Sequence, residues 1–279
     1  MHTSGERWSS LERPPLDERA LRRALRAGEP GSWWRTVRVV GSIGSTNASL
    51  ADAARDGAAE AALLVAEHQH AGRGRMGRSW QAPARSALTF SVLVRPQVPV
   101  ADWPWLPLLT GVAVAEAIRR GAGVQAMVKW PNDVLVEDRK LAGVLLERVE
   151  TPIGPAAVLG IGLNVSAQRE ELPVPSATSL ALEGATTLDR PSLLLPVLRT
   201  LQPLYQEWVR PGRSSGGLRE AYLARCSTLD RPVRVELPNG STLTGLAEAV
   251  DAAGRLVVAT GTGRRTVAAG DVVHVRSAP

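Results

Sequence analysis

Lysine is rare in this chain, and its two copies lie close together. The 279 residues include 33 lysines and arginines, of which only Lys129 and Lys140 are lysines. A lysine ammonium is a compact point charge with three donors that can follow a moving oxygen, whereas a guanidinium is a rigid planar fork. We therefore expect these two side chains to contact a reacting anion in a way that arginine does not. The alternative is that two residues fall near each other by chance.

A glycine-rich loop at residues 72–80 reads GRGRMGRSW. It satisfies the GxGxxG pattern of dinucleotide-binding folds, but that fingerprint requires a helix directly afterwards and an acidic residue about twenty positions later. Pro83 follows the loop instead, and the later region holds Arg95 and Pro96. We therefore reject a dinucleotide site. Three arginines on a flexible glycine backbone predict a loop that wraps a multiply charged anion, with a flexible basic surface loop as the alternative.

Polar side chains follow the first lysine at the end of an expected strand. Asn132 and Asp133 come directly after Pro131, which stops the strand. Oxygen ligands of this kind suit Mg²⁺, although an ordinary Asn-Asp turn has the same sequence. The segment therefore predicts a Mg²⁺ site beside Lys129, with the ordinary turn as the alternative.

Two further motifs place small residues where a ligand can approach. Residues 160–165 read GIGLNV, a strand whose glycines allow a ligand or backbone to pass closely. A glycine-bearing core strand is an equally good interpretation. Residues 44–47 read GSTN and put small polar groups at a helix start, where polar or anionic groups are held. Simple helix capping is the alternative there.

The apolar patterns predict strands and helices around these motifs. Helices are expected at residues 17–26, 46–55, 106–120 (with Gly121 just past its end), from 191 onward and at 218–226. Strands are expected at residues 36–40, 62–66, 87–94, 134–136, 141–149 and 156–165, the 134–136 and 141–149 pair joined by a turn at 137–139. Short β-rich runs at residues 233–237, 241–249, 256–260 and 272–275 predict a small barrel. Glycines at 28 and 31 predict that residues 1–35 form a frayed arm.

Composition excludes several classes of protein. No apolar run approaches the roughly 20 residues that span a bilayer, and the first residues lack the apolar core of a signal peptide. A single cysteine, Cys226, excludes an internal disulfide and fits a reducing compartment. We expect a cytoplasmic protein with no membrane association. The net charge of +6 would suit a polyanion partner, but the arginines are scattered, so solubility explains most of them.

In combination and order, the motifs resemble those of the biotin–protein ligases, or holocarboxylase synthetases. The matching segments are GSTN at 44–47, GRGRMGR at 72–78, KWPNDV at 129–134, KLAGVLLE at 140–147 and GIGLNV at 160–165. The resemblance covers roughly residues 36–277. It implies an α+β fold: a mixed sheet with flanking helices, similar to class II aminoacyl-tRNA synthetases, followed by a small SH3-like β-barrel.

The resemblance also implies a division of the chain. We expect an N-terminal arm at 1–35, a catalytic biotin- and ATP-binding domain at 36–228 and the SH3-like domain at 229–279. Some relatives carry an N-terminal winged helix that represses transcription. The arm is too short for that domain, so we expect no specific DNA binding.

The resemblance assigns roles to individual residues. It implies that Lys140, Arg73 and Arg75 are catalytic. The biotin-binding residues would be Ser45, Thr46, Asn47, Gln69, Arg73, Gly74, Arg75 and Lys140. The nucleotide would be bound by Arg78, Trp80, Lys129, Asn132 and Asn164, with Trp80 packed on the adenine, and Mg²⁺ by Asp133 and Asn132.

The implied reaction consumes ATP, with Mg²⁺, and biotin. Biotin is activated as biotinyl-5'-AMP and transferred to one lysine of a biotin carboxyl carrier domain of an acyl-CoA carboxylase. The nearest alternative is a lipoate–protein ligase, which shares the fold class and the order of activation and transfer. A second alternative is a non-catalytic polyanion-binding protein, for which Lys140 in a glycine-framed anion site would have no use.

Overall fold

The computed structural model describes residues 13–211 and 216–275. Its helices are α1 (Glu18–Leu25), α2 (Thr46–Arg55), α3 (Trp105–Ala122), α4 (Arg190–Val209) and α5 (Gly216–Leu223). The first seven strands are β1 (Thr36–Val40), β2 (Ala62–Ala66), β3 (Ala87–Val94), β4 (Ala126–Lys129), β5 (Asp133–Val136), β6 (Arg139–Val149) and β7 (Ala156–Asn164). The last five are β8 (Pro232–Glu236), β9 (Thr242–Val250), β10 (Leu256–Thr260), β11 (Gly263–Val267) and β12 (Asp271–His274).

The larger sheet contains seven strands in the order β1-β2-β3-β7-β6-β5-β4. Strands β1 and β2 pair in parallel, and the other neighbouring pairs are antiparallel. The expected mixed sheet with flanking helices is therefore confirmed. Because β2 and β3 are antiparallel neighbours, the glycine-rich loop between them does not belong to a βαβ dinucleotide unit.

Alternation along the strands divides the core between the two faces of this sheet. In β2, Leu63 and Val65 join the main core with α1, α3 and α4, whereas Leu64 joins a smaller core beneath α2. Leu50 and Ala54 of α2 pack into the smaller core. Helix α2 therefore covers one face, and the other helices cover the opposite face.

The face beneath α2 changes from apolar to polar along the strands. In β7, Val158 belongs to the small core, but Gly160 and Gly162 follow on the same face. Gly160 lies opposite Ser91 of β3, and Gly162 lies opposite Thr89. The apolar residues of α2 begin at Leu50, so the N-terminal turn of the helix lies over small and polar residues of the sheet.

The C-terminal strands form a five-stranded antiparallel sheet in the order β11-β10-β9-β8-β12. Four of these strands were expected, and the small β domain is confirmed. The sequence analysis expects no strand between residues 260 and 272 and so misses β11, because Gly263–Val267 is almost wholly exposed and carries no apolar alternation. Two buried indoles fasten this sheet to the larger domain: Trp105 donates to Ala252 O at 2.8 Å and Trp130 donates to Gly254 O at 3.0 Å.

Several expected boundaries differ from the structure, and three of them have a clear cause. Helix α3 continues through Gly121 to Ala122, and Gly123, whose φ is 72°, gives the left-handed cap. The β5–β6 turn excludes Arg139, which already pairs with Val136. Helix α5 ends at Leu223 instead of residue 226. In each case the end is set by a neighbouring strand or by a cap, and the hydrophobic periodicity of the sequence predicts neither.

Residues 13–35 are packed, so the prediction of a frayed arm is wrong for this part; residues 1–12 lie outside the described residues. Leu21 and Leu25 of α1 are buried in the main core. A buried ion pair holds the segment: Glu67 accepts from Arg190 Nη1 at 2.6 Å and from Leu16 N at 2.6 Å. Both charged side chains are less than 7% exposed, so each offsets the desolvation cost of the other.

Within the described ranges, 13–211 and 216–275, no helix combines the length and apolarity needed to cross a lipid bilayer.

His274 makes the stability of the fold depend on pH. It lies on β12, 3.6 Å from Asp138 of the larger domain. Burial, reinforced by the charges of Arg231 and Lys129, lowers the pKa of His274 from 6.5 to about 4. Because the folded-state pKa lies below the unfolded-state value, the unfolded chain binds more protons in this window, and stability is lost as pH falls through it.

We therefore expect the free energy of unfolding of the wild type to fall more steeply between pH 6.5 and about 4 than that of His274→Gln. Urea denaturation at a series of pH values measures both curves, and the substitution removes the titrating group while keeping a polar side chain. Parallel curves would show that His274 does not contribute this dependence.

Candidate active site

A cavity of about 790 Å³ opens on the polar half of the α2 face. It is lined by every residue to which the sequence analysis assigned a role: Ser45, Thr46, Asn47, Gln69, Arg73, Gly74, Arg75, Arg78, Trp80, Lys129, Asn132, Asp133, Lys140 and Asn164. These residues come from one helix, three loops and four strands. The structure therefore brings all of them together in one place.

The N-terminus of α2 forms one wall of the cavity. Ser45 caps the helix by accepting from Ala48 N, and Thr46 and Asn47 are almost fully buried. Gln69 Oε1 accepts from the backbone N–H of Thr46 at 2.7 Å. Since the first turn of a helix carries partial positive charge and unpaired N–H groups, this wall suits polar or anionic ligand groups.

Two glycines of β7 make room for two side chains of the site. A Cβ on Gly160 would lie 2.1 Å from Asn47 Oδ1, and one on Gly162 would lie 2.3 Å from Cε2 of Trp80. Asn47 and the Trp80 ring therefore rest directly on the bare strand. The glycines of the GIG segment allow close approach, but the approaching groups are two side chains and not the ligand or backbone that the sequence predicted.

The glycine-rich loop folds back on itself at the mouth of the cavity. Residues 73 and 79 form an antiparallel bridge, and Gly74 N donates to Arg78 O at 2.7 Å. A Cβ on Gly72 would lie 2.5 Å from Trp80 O, so glycine is needed where the loop closes. The tip bends at Met76, whose φ is 53° and whose side chain is exposed.

Each of the three loop arginines at the cavity has a carboxylate partner within the protein. Arg73 Nη2 lies 3.1 Å from Glu147 Oε2, and Arg78 Nη2 lies 2.6 Å from Asp271 Oδ2. Arg75 donates to Asn132 Oδ1 at 3.0 Å and lies 3.9 Å from Asp271.

Lys140 is held on both sides of its backbone. Its N–H donates to Ser176 O at 2.7 Å, and its carbonyl accepts from Thr178 N at 2.8 Å. The ammonium lies 2.6 Å from Asp133 Oδ1, above Gly143, where a Cβ would come within 3.2 Å of Nζ. The backbone of Lys140 is therefore held in place, and the absence of a side chain at Gly143 leaves room for the ammonium beside the cavity.

Burial changes the electrostatics of two other cations. It lowers the pKa of Lys129, and it lowers the pKa of Arg75, although Asp271 and Asp133 oppose the shift of Arg75. A half-desolvated cation interacts strongly with an entering anion, because little water competes for it.

The residues proposed for Mg²⁺ fit only in part. No cluster of three or more His, Cys, Asp or Glu side chains suited to a metal exists within the described residues. Asn132 has its amide engaged, with Oδ1 accepting from Arg75 and Nδ2 donating to Val144 O at 2.8 Å. Asp133 supplies one carboxylate, which lies beside the Lys140 ammonium, and Mg²⁺ commonly binds through one or two carboxylates together with substrate phosphates.

Sequence reasoning missed three residues of the site. Glu147 and Ser91 join the polar network, and Asp271 binds the glycine-rich loop from the C-terminal domain. Ser91 follows Thr89 at the two-residue period of a strand, so a polar stripe in an apolar strand was a signal that could have been used. Nothing in the sequence indicates that Asp271 lies near the loop.

Comparison with known proteins decides the family. A model described as Biotin/lipoate A/B protein ligase family matches residues 41–164, and one described as Biotin protein ligase C terminal domain matches residues 228–275. The chain is 44% identical over 269 residues to the biotin–[acetyl-CoA-carboxylase] ligase of Mycobacterium tuberculosis, covering 95% of this chain and 97% of that protein. The chain belongs to the biotin protein ligase family.

Other biotin protein ligases agree with this assignment. The bifunctional ligase/repressor BirA of Escherichia coli is 33% identical, over 80% of this chain and 69% of that protein. The structure of the Aquifex aeolicus biotin protein ligase in complex with biotin and ATP is 26% identical. It aligns with a TM-score of 0.73 over 88% of this chain and all of the Aquifex chain.

Proposed function

We propose that this chain joins biotin to a carrier protein in two steps at the cavity described above. Membership of the biotin protein ligase family supplies the activity itself, a ligation of biotin at the expense of ATP. The observation that carries the proposal is the convergence of Arg73, Arg75 and Lys140 on one cavity, which also contains Gly160 and Gly162 of β7.

In the first step, an oxygen of the biotin carboxylate attacks the α-phosphorus of ATP. A new C–O–P linkage forms, the bond to the β-phosphate breaks, and pyrophosphate leaves. The two reactants are both anionic, so their repulsion must be offset before they meet. Lys140 and the loop arginines provide the positive charge, and substrate binding brings them into position before the chemical step begins.

The counter-ions seen in the structure support this role. Glu147 forms an ion pair with Arg73, Asp271 with Arg78, and Asp133 with Lys140. We infer that substrate carboxylate and phosphate groups replace these carboxylates. The glycine backbone of the loop allows the guanidinium groups to move to their new partners.

Individual subsites follow the chemistry of their walls. The α2 N-terminus with Ser45, Thr46, Asn47 and Gln69 suits the polar head of biotin, whose ring offers both N–H donors and a carbonyl acceptor. Gly74 and the loop arginines would close over the biotin chain and its adenylate. These assignments are proposals that rest on the geometry.

The nucleotide is assigned to the other end of the cavity, toward Arg78, Lys129, Asn132 and Asn164. Trp80 is proposed as the aromatic that packs on the adenine. Its indole Nε1 is buried and has no hydrogen-bond partner within the described residues, so it can donate to a bound ligand. Asp133 is the residue that would hold Mg²⁺, which neutralises phosphate charge when bound.

In the second step, an unprotonated lysine amine of the carrier attacks the carbonyl carbon of the mixed anhydride. An amide bond forms, AMP leaves with the bonding electrons, and the amine loses a proton. The acceptor is proposed to be the biotin carrier domain of an acyl-CoA carboxylase, in agreement with the name of the Mycobacterium tuberculosis relative. We also retain as proposals a cytoplasmic location and the division at residues 36–228 and 229–279.

A mass measurement tests the function directly. Incubation of the protein with biotin and MgATP is expected to yield biotinyl-5'-AMP and pyrophosphate. ATP–pyrophosphate exchange with biotin and, separately, with lipoate distinguishes the two ligase activities. Exchange with lipoate alone would replace the proposal by its nearest rival. Absence of any adenylate, together with steeply salt-dependent polyanion binding, would favour the non-catalytic rival.

A further inference from the structure

One carboxylate connects the wall proposed for the biotin head to the glycine-rich loop. Glu147 lies on β6, on the face that also carries Gly143 and, across the strand pair, Gly160 and Gly162. Its Oε2 accepts from Asn47 Nδ2 at 2.7 Å and lies 3.1 Å from Arg73 Nη2.

The direction of the hydrogen bonds beyond Asn47 follows from this contact. An ionised carboxylate only accepts, so Asn47 must present its amide NH₂ to Glu147 and its Oδ1 to the other side. Ser91 Oγ, 2.6 Å from that Oδ1, therefore donates its single proton to Asn47. Thr46 Oγ1 lies 2.7 Å from Ser91 Oγ and must supply the proton of that contact. Thr46, Ser91 and Asn47 thus all donate toward Glu147.

This direction of the hydrogen bonds leaves oxygen atoms at the cavity wall that can accept further bonds. Thr46 has one hydroxyl proton, which it donates to Ser91. The contact of 2.9 Å between Thr46 Oγ1 and Gln69 Oε1 then has no proton of its own. Gln69 Oε1 already accepts from Thr46 N, and an N–H donor from a ligand would use the remaining acceptor capacity of the two oxygens.

Packing does not decide the orientation of the Asn47 amide. The bare backbone of Gly160 holds the side chain in place, but exchange of its N and O atoms would fit the same space. The acceptors of Asn47 Nδ2 make the choice: Glu147 Oε2 at 2.7 Å, which is charged and much the shorter contact, and Leu145 O at 3.4 Å.

We propose that Glu147 is a positioning residue for ligand recognition: through Asn47 and Ser91 it makes Thr46 and Gln69 acceptors for an N–H donor of the ligand. The proposal rests on the proposed function, in which that donor is a ring N–H of biotin. Glu147 itself acts through its neighbours and need not touch the ligand.

Two substitutions separate this role from the ion pair with Arg73. Glu147→Leu and Glu147→Gln both remove the charge opposite Arg73. Glutamine keeps a carbonyl that can accept from Asn47, whereas leucine leaves the buried amide of Asn47 with only its 3.4 Å contact to Leu145 O. We expect Glu147→Leu to raise the biotin Kd by about 10-fold or more, and Glu147→Gln to recover most of that loss. The KM for ATP should change by less than about 3-fold in either variant.

Calorimetric titration with biotin alone gives the Kd, and pyrophosphate exchange gives the KM values. Glu150→Gln is the matched control, since Glu150 is exposed and pairs with Arg148 just after the same strand. Ser91→Ala removes the middle member of the hydrogen-bond series that runs from Thr46 through Ser91 and Asn47 to Glu147. The Glu147→Leu/Ser91→Ala double variant should therefore bind biotin no more weakly than Glu147→Leu.

Equal biotin Kd values for Glu147→Leu and Glu147→Gln, or losses that multiply in the double variant, would overturn the proposal. If Glu147→Leu does not fold, an unchanged biotin Kd in Ser91→Ala overturns it, and a raised one supports it. A wild type that forms no biotinyl-adenylate would instead refute the proposed function, and this proposal with it. An active wild type with equal variants refutes the positioning role alone.

Discussion

Lys140→Ala is expected to lower the rate of biotinyl-adenylate formation by about 10²–10³-fold while leaving the protein folded. The ammonium is a third exposed and lies at the cavity, so its loss removes charge from the reacting groups and little from the core. The backbone bonds of residue 140 to Ser176 and Thr178 do not depend on the side chain. Pyrophosphate release under saturating biotin and ATP measures the rate.

Two further variants sharpen this test. Lys140→Arg keeps the positive charge but offers a planar fork in place of a point charge, and we expect it to remain strongly impaired. Arg139→Ala is the control, because Arg139 is the neighbouring cation on the same strand and pairs with Glu183 and Glu137. Pyrophosphate release by Lys140→Ala within a few-fold of wild type would show that Lys140 is not catalytic.

Gly162→Ala is expected to lower adenylate formation by about 10²-fold, although the substitution adds one methyl group. Its Cβ would lie 2.3 Å from Cε2 of Trp80, and the strand beneath is held between β3 and β6. The indole ring must therefore move, and it must move into the cavity that it lines. A displacement of about 1 Å at a reacting site costs about this much in rate.

Gly121→Ala is the matched control for this substitution. Gly121 lies inside α3 with no atom near the position of an added Cβ. In a helix interior, alanine is favoured over glycine by about 0.5–1 kcal/mol, so this variant should be slightly more stable and fully active. Steady-state adenylation and thermal unfolding compare the two. A Gly162→Ala enzyme with wild-type activity would mean that the Trp80 ring is not part of the site.

Local patterns accounted for most of the fold. The predicted bounds of β1, β2, β3 and β10 match the structure, because each is a short apolar or alternating run that ends at turn residues. Strand β11 was missed because its partners, not its own side chains, make it a strand: residues 263–267 are polar and pair along the whole of β10. The packing of residues 13–35 was missed for a similar reason, since the buried Glu67–Arg190 pair joins segments 123 residues apart.

The chemistry of the site could be predicted from the sequence, because its groups lie within short motifs. The isolated lysines, the arginine-bearing glycine loop and the polar start of α2 each carry a local requirement for charge, flexibility or an unpaired N–H. The sequence by itself therefore determined the family, the type of reaction and the residues that meet at the cavity.

Only the tertiary structure decided how those groups are paired. The register of β3, β6 and β7 places Ser91, Glu147 and the two glycines on one face, and this register is a property of three strands far apart in the chain. The contact of Asp271 with the loop arginines depends on how the C-terminal domain docks. Hydrogen bonds and ion pairs act over a few ångströms in space, whereas a motif records only neighbours along the chain, and for that reason these partners became visible only in the folded protein.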